Sequence, residues 1–360
     1  MIGWLLESLR CVAPAYPFSP AIKEQGGDVP VCHGRLEEVE QKLVCVSCGS
    51  EYGVEEGVPK LLGADAPVSS YGEEFIRQYY EMHFGPFLRG EGMEERLRFP
   101  RSNPGGRGRR GAPKRYVGIR APDLEQAVGQ VFTQLAPTEI FYEAVLEMCQ
   151  RHLPAAPVAL DLGCGLGRMT AELARHGAER VIGMDLSLRM VKEANRLLVR
   201  PREEGARDVH LNLVAGWTLP VRLELDWRFE NIAFVGGNAE RIPLGDEQVD
   251  FVLCLNLIDR VTRPRLAVSE MARVLKPHGR LLISDPYHWD SSTPEANRTA
   301  DMASWFQGEI WEWIDEVDGV PFLVRPDSRR LILYMSHCIV YEKKGESQAQ
   351  LPAIPAPPPR

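Results

Sequence analysis

Several features are scarce in this 360-residue sequence. No apolar run approaches the roughly 18 residues of a membrane span, so no membrane partner is expected. The opening MIGWLLESLRC has neither a basic n-region nor a cleavage signature, which argues against secretion. Positive charge is also in deficit. With 42 Lys and Arg against 50 Asp and Glu, the net charge is −8, and a general nucleic-acid surface needs clustered cations to neutralise phosphates. Internal repeats are lacking. The eight cysteines are scattered rather than set in a disulfide framework, a pattern that suits a reducing, cytoplasmic setting. What remains, 44 % hydrophobic and 26 % charged residues, is an ordinary globular composition with chain enough for two or three domains.

Four regions follow from the pattern. Residues 1–63 hold four of the cysteines and end in the strand-like GVPKLL. Residues 64–120 combine a helical, aromatic stretch, YGEEFIRQYYEMHFGPFL, with RSNPGGRGRRGAPKR. The aromatic stretch, around Tyr79 and Tyr80, reads either as a packed connecting helix or as a lid. The second piece, residues 101–115, has six basic residues and no acid. It reads as a solvated linker, the alternative being a segment that meets RNA or an acidic partner. Residues 121–345 form the third region, and the Pro-rich tail 346–360 reads as disordered.

Within 121–345 a helix is expected at 123–153, interrupted near Pro137. Short apolar runs then alternate with amphipathic stretches: VALDLG, MTAELARHG, RVIGMDLS, RMVKEANRLLV, NIAFVGGNA, VDFVLCLNL, LAVSEMARVL and GRLLISDP. That alternation predicts βαβ units and a mostly parallel sheet. Ligands of such sheets bind beyond the carboxyl ends of the strands. The stretch 200–230 reads as an added hairpin, and the end of this region as closing antiparallel strands.

The chemistry sits at the expected strand ends. In LDLGCGLGRM, Asp161 precedes Gly163, Gly165 and Gly167, which permit a tight turn close to a ligand. A dinucleotide fingerprint needs glycine or alanine at its sixth position; this chain has Arg168 there. An acid before the loop suits the cationic end of a ligand better than a pyrophosphate. Asp185 lies 24 residues further on, where a carboxylate can accept from two ribose hydroxyls. Asn238, at the third tip, offers both donor and acceptor to a base edge.

With these motifs, continued in DFVLCLNLIDRV and MARVLKPHGRLLISDPY, the chain resembles the class I S-adenosylmethionine-dependent methyltransferases from Val158 through Lys344. The resemblance implies an α/β fold, a Rossmann-like seven-stranded sheet, and S-adenosylmethionine as cofactor. It implies that Asp161, Gly163, Cys164, Gly165 and Gly167 face the methionine end. Asp185, with Leu186, would hold the ribose. Met190, Asn238, Ala239 and Glu240 would flank adenine, and Leu255 and Asn256 would lie near the methyl donor. Asn238 stands where an aspartate is commoner, and KPHG replaces the usual KPGG.

For the acceptor, DPYHWD and LIDRV present His288, Tyr287 and Asp259 as candidate catalytic groups, His288 having the pKa suited to a general base. NLIDRVTRP, DPYHWDSSTP and VPFLVR…SRR resemble the methyltransferase domain of ovothiol-biosynthesis enzymes, though their iron-dependent portion is absent here. The resemblance implies a small polar metabolite, with a heterocyclic nitrogen as the candidate atom. The alternatives are an RNA or protein acceptor engaged through the basic linker, or a scaffold with a degenerate fold.

Cys45-Val-Ser-Cys48 has the spacing of one zinc knuckle. Its counterpart is incomplete, since Val29 stands where a cysteine would precede Cys32. LLESLRC, PVCHGRLE, LVCVSCG and EYGVEEGVPKLL resemble, in order, the small zinc ribbons that activate methyltransferases. That resemblance makes Cys11, Cys32, Cys45 and Cys48 the ligands of a structural zinc in a small β module, with three packed thiols as the metal-free alternative.

Overall fold

In the computed structural model, the described residues are 3–15, 31–63, 66, 71–90, 139–199, 206–213, 216–291, 293–306, 310–327 and 330–345. The basic segment 101–115, the part of the expected helix before 139, and the Pro-rich tail lie outside them. The chain opens with the helix Gly3–Ser8 (α1) and four short strands: Leu36–Val39 (β1), Lys42–Cys45 (β2), Glu51–Glu55 (β3) and Val58–Leu61 (β4). The helix Glu73–Phe84 (α2) and the two-residue strand Leu88–Arg89 (β5) follow, then the helix Glu139–His152 (α3).

The alternating part comes next: Val158–Leu162 (β6), Arg168–Arg175 (α4), Arg180–Asp185 (β7) and Leu188–Leu198 (α5). Ser187 caps α5, its side chain accepting from the Met190 N–H at 3.4 Å. The hairpin Ala206–Asn212 (β8) and Thr218–Glu224 (β9) occupies the insertion and pairs with β5 in a separate three-stranded sheet. Ile232–Gly237 (β10), Val249–Leu255 (β11), Pro264–Val274 (α6), Leu275–Asp285 (β12), Trp311–Asp327 (β13) and Arg330–Lys343 (β14) complete the chain. Pro264 opens α6, where its missing N–H costs nothing.

The main sheet runs β1-β2-β3-β4-β10-β7-β6-β11-β12-β14-β13. Strands β10, β7, β6, β11 and β12 are parallel to their neighbours, and β14 and β13 close the sheet antiparallel. Every residue of β10 is buried, as expected of a parallel strand covered on both faces. Phe251 and Leu253 enter one hydrophobic cluster, and Val252 and Cys254 the other, so the period-2 alternation of β11 feeds two cores. Each fully buried Leu or Phe there contributes about 2 kcal/mol by removal from water.

The sheet is therefore larger than the expected seven strands. Strand β4 pairs in parallel with β10, Lys60 opposite Gly236 and Leu61 opposite Gly237, so the N-terminal strands extend the main sheet instead of standing apart. The physical reason is the otherwise unpaired edge of β10. Leu9 adds a bridge to Leu244, and the Arg10 N–H donates to the Pro243 carbonyl at 3.0 Å. Among the described residues no helix is long and apolar enough to cross a membrane.

Candidate active site

Strand order switches at β6: the chain adds β7 and β10 on one side of it, then β11 and β12 on the other. The crevice beyond the carboxyl ends at such a switch is where open α/β sheets bind ligands. A cavity of about 600 Å³ occupies it, a size suited to small molecules. Asp161 and Gly163 come from the tip of β6, Asp185 and Leu186 from β7, Asn238 to Glu240 from β10, and Leu255 and Asn256 from β11. Cys164 and Met190 also line it. Of the residues expected to hold a cofactor, Gly165 and Gly167 are not on the wall. A Cβ at Gly165 would lie 3.1 Å from the Tyr79 and His83 rings, which cover it, and one at Gly167 would lie 2.8 Å from Phe234. Both glycines pack closely against neighbouring side chains at the turn.

The polar groups are tightly set. Asp185 accepts from the Gly165 N–H at 3.1 Å on Oδ2 and from the Ser187 N–H at 2.8 Å on Oδ1. Burial nevertheless raises its pKa. Asp161 accepts from the Thr170 hydroxyl at 2.6 Å, and burial pushes its carboxyl up to about 7. Glu240 accepts from the backbone N–H and Nε of Arg263, both at 2.8 Å. Asn256 has a φ of 48°. Its Oδ1 takes hydroxyls from Ser284 and Ser336, each at 3.0 Å, and its buried Nδ2 finds no acceptor among the described residues.

The three expected catalytic groups do not reach the cavity wall. Pro286 and Asp290 line it, but between them the chain turns through Tyr287, with a φ of 56°. Its hydroxyl lies 2.7 Å from His337 Nδ1, and His337 Nε2 lies 2.5 Å from Glu316. His288 packs on Tyr334, ring centroids 5.4 Å apart, and Tyr334 is the residue that faces the cavity. Asp259 is fully buried behind Arg260, whose Nε lies 3.3 Å away. Burial raises Asp259 and its neighbour Asp285, and the Asp259 charge raises Asp285 further.

Sequence reasoning missed most of the roof. Phe75, Tyr79 and His83 lie four residues apart, which puts them on one face of α2, and Tyr71, just before its N-cap, continues the row. Their ring centroids are 4.1, 5.1 and 5.3 Å apart in succession, and all four line the cavity. The four-residue spacing was the available signal. Tyr80 points elsewhere, its hydroxyl donating to Glu193 at 2.6 Å. Phe322, Val324, Ile332 and Tyr334 of the β13–β14 pair form a side wall.

Arg168 fastens the roof. Its Nη1 donates to the His83 carbonyl at 2.9 Å and its Nε pairs with Glu172 at 3.1 Å. Its guanidinium sits 5.4 to 5.7 Å from the Phe87, Tyr142 and Trp227 ring centroids. Burial, and then the Arg168 charge, lower His83 to about 3, so this imidazole is neutral.

Away from the cavity, the sulfurs of Cys11, Cys32, Cys45 and Cys48 all lie within 4.8 Å of one another. Cys11 to Cys48 is 3.6 Å and Cys32 to Cys45 is 3.7 Å. A tetrahedron with metal–sulfur bonds of about 2.3 Å has edges of about 3.8 Å, so the spacing fits a four-thiolate site. Backbone bonds draw the two halves together: Cys32 N–H to the Ala13 carbonyl (2.8 Å), His33 N–H to Cys11 (3.1 Å) and Cys11 N–H to Gly34 (2.9 Å). Gly34 is required here, because a Cβ would lie 2.6 Å from the Cys45 sulfur.

Residues 160–283 match the family model described as a methyltransferase domain. An uncharacterized 37.1 kDa protein in transposon TN4556 of Streptomyces fradiae is 32 % identical over 187 residues, covering 48 % of this chain and 46 % of that one. The uncharacterized methyltransferase YcgJ of Bacillus subtilis is 27 % identical over 159 residues, covering 43 % and 52 %. The chain spans about half the length of these curated relatives. The crystal structure of the same YcgJ protein aligns at a TM-score of 0.39 with 18 % identity, over 57 % of this chain and 100 % of that one. Residues 160–283 are thus similar in sequence to a methyltransferase domain.

Proposed function

We propose that this chain transfers a methyl group from S-adenosylmethionine to a small, ring-bearing acceptor. The observation that carries this reading is the convergence of Asp161, Asp185, Glu240 and Asn256, from four strand tips, on one roofed cavity. The donor set fits the cofactor: buried carboxylates for its ammonium and ribose hydroxyls, and an amide and a carboxylate for its base. When bound, S-adenosylmethionine supplies an already activated methyl group, so alignment of the nucleophile provides much of the rate. Asp185 holds its oxygens fixed by two backbone N–H groups, leaving lone pairs for two hydroxyls. Asn256 offers its free Nδ2 at the fourth tip.

The walls favour a small acceptor over a macromolecule, because α2 roofs the cleft. Rings from Tyr71, Phe75, Tyr79, Phe322 and Tyr334 on the wall favour a planar acceptor. His83 is kept neutral with Nδ1 engaged, so among the described residues the wall supplies no histidine base, which favours a neutral nitrogen nucleophile. Calorimetry with S-adenosylmethionine, followed by transfer of labelled methyl to fractionated metabolites and to RNA, tests the reading. Absence of binding removes it, and label in RNA alone replaces the acceptor class.

We propose further that the four cysteines hold a structural zinc, which four protein ligands would close to chemistry. The tetrahedral spacing of the sulfurs supports this reading. The Ala13 and Ser47 N–H groups, each 3.4 Å from a cysteine sulfur, are placed to stabilise thiolates.

A further inference from the structure

His83 lies outside the matched family region, and its hydrogen bonding is one-sided. Helix α4 begins after Gly167, which has no side chain to cap it. His83 does this from α2: the Arg168 backbone N–H donates to its Nδ1 at 3.3 Å. A backbone N–H can only donate, so Nδ1 is the acceptor and the ring proton resides on Nε2. His83 is 6 % exposed and lines the cavity. Among the described residues no group accepts from Nε2, and the ring opens on the cavity, so this N–H is available to a ligand there.

The neighbourhood says what the acceptor is. The ring edge rests on the glycine loop, its Cε1 3.1 Å from where a Gly165 Cβ would be. Beside that loop lies Asp161, an acceptor suited to an ammonium. The carboxylate of the same amino-acid group needs a donor. Among the described residues the cavity wall contains no lysine, and its one arginine, Arg260, is engaged by Asp259 at 3.3 Å and Asp290 at 3.7 Å beyond the tip of β11. Arg168 is turned behind the wall toward Glu172 and three rings. Among the described residues, the donors left to meet the carboxylate are neutral ones.

We infer that His83 is a cofactor-binding residue whose Nε2–H donates to a carboxylate oxygen of the methionine end of S-adenosylmethionine. This rests on the cavity being the cofactor site. The same ring then links the cofactor to the cap of α4, so that binding at the glycine loop also holds α2 over the cleft.

Calorimetry on the full chain tests it with two ligands, S-adenosylhomocysteine and 5′-deoxy-5′-methylthioadenosine, which lacks the amino-acid group. His83→Phe should weaken S-adenosylhomocysteine about ten-fold or more, as expected for one lost hydrogen bond to a charged group, and leave methylthioadenosine unchanged. His83→Gln, which keeps a donor, should recover most of the loss. Equal affinity in the Phe variant, or an equal loss for both ligands, overturns the inference. Failure of the wild type to bind either ligand overturns the cofactor reading itself. Nitrogen-15 spectra of the ring give an independent readout: an Nε2–H tautomer that responds to S-adenosylhomocysteine but not to methylthioadenosine is expected, and an Nδ1–H tautomer refutes the assignment.

Discussion

The Gly165 backbone N–H and the Asp185 carboxylate are joined at 3.1 Å, and this bond ties the glycine loop after β6 to the tip of β7. With Ser187 on the other oxygen at 2.8 Å, the carboxylate cannot rotate to suit a ligand; it is preset. Asp185→Ala should therefore remove two charge-assisted hydrogen bonds to a ribose and free the loop. The expected loss is at least about 100-fold in S-adenosylmethionine affinity, from about 1.5–3 kcal/mol for each bond. Equilibrium binding of labelled cofactor measures it, and an unchanged dissociation constant would refute the ribose assignment.

Asp161 sets a pH dependence. Its folded pKa of about 7 lies above the ordinary 3.8 because burial disfavours the charge. The folded chain then holds a proton that the unfolded chain has lost, so the ligand-free protein should lose stability as pH rises from about 4 to 7. An ammonium placed beside Asp161 reverses the preference. Cofactor binding should release a proton at pH 6, and affinity should rise with pH through neutrality. Binding enthalpies measured in two buffers of different ionisation heat give the proton count directly; identical enthalpies would exclude Asp161 as the ammonium's partner.

The strand tips were legible because their signals are local. Asp161, Asp185 and Asn238 each end a short apolar run, and the parallel sheet brings such ends to one edge. What depended on long-range pairing was not. The register of β4 against β10, which merges the N-terminal strands with the main sheet, has no trace in either segment alone. The aromatic helix was half legible. Adjacent Tyr79 and Tyr80 drew attention as a pair, yet neighbours on a helix cannot share a face, and the ladder at four-residue spacing is the one that faces the cavity. DPYHWD offered His288 and Tyr287 as equals of their neighbours. Only the left-handed turn at Tyr287 decides which side chains go inward, and that turn was invisible in the sequence.

That turn makes a prediction. His288→Ala removes a ring that rests on Tyr334 and does not line the cavity. Methyl transfer, once an acceptor is in hand, should fall by no more than a few-fold, below the roughly 10²–10⁴-fold effect of losing a general base. Steady-state kinetics across pH 6 to 9 would show it, with loss of an ionisation in the variant's profile marking the opposite outcome.

The cysteine cluster can be tested by counting metal. Zinc measured on the purified chain should approach one equivalent, and Cys11→Ser should lose most of it, since removing one thiolate opens the tetrahedron. Because β4 continues the main sheet and α1 leads into the bridge to Leu244, loss of the metal should lower the melting temperature of the whole chain. Undiminished zinc in the variant would exclude Cys11.

Arg168 should matter to stability more than a surface arginine does. It is 6 % exposed, and its removal deprives the buried Glu172 of one partner and the His83 carbonyl of its donor. Arg175 still pairs with Glu172 at 3.0 Å, which softens the penalty of an uncompensated charge. Arg168→Ala is accordingly expected to cost about 2–3 kcal/mol, below the usual range for breaking a buried pair. Arg168→Lys should recover only part, because an ammonium cannot stack flat among Phe87, Tyr142 and Trp227 while donating in two directions. Urea unfolding of the three proteins decides it: full recovery by lysine would show that charge alone is used, and no loss in the alanine variant would show that α2 is held over the glycine loop by its apolar contacts.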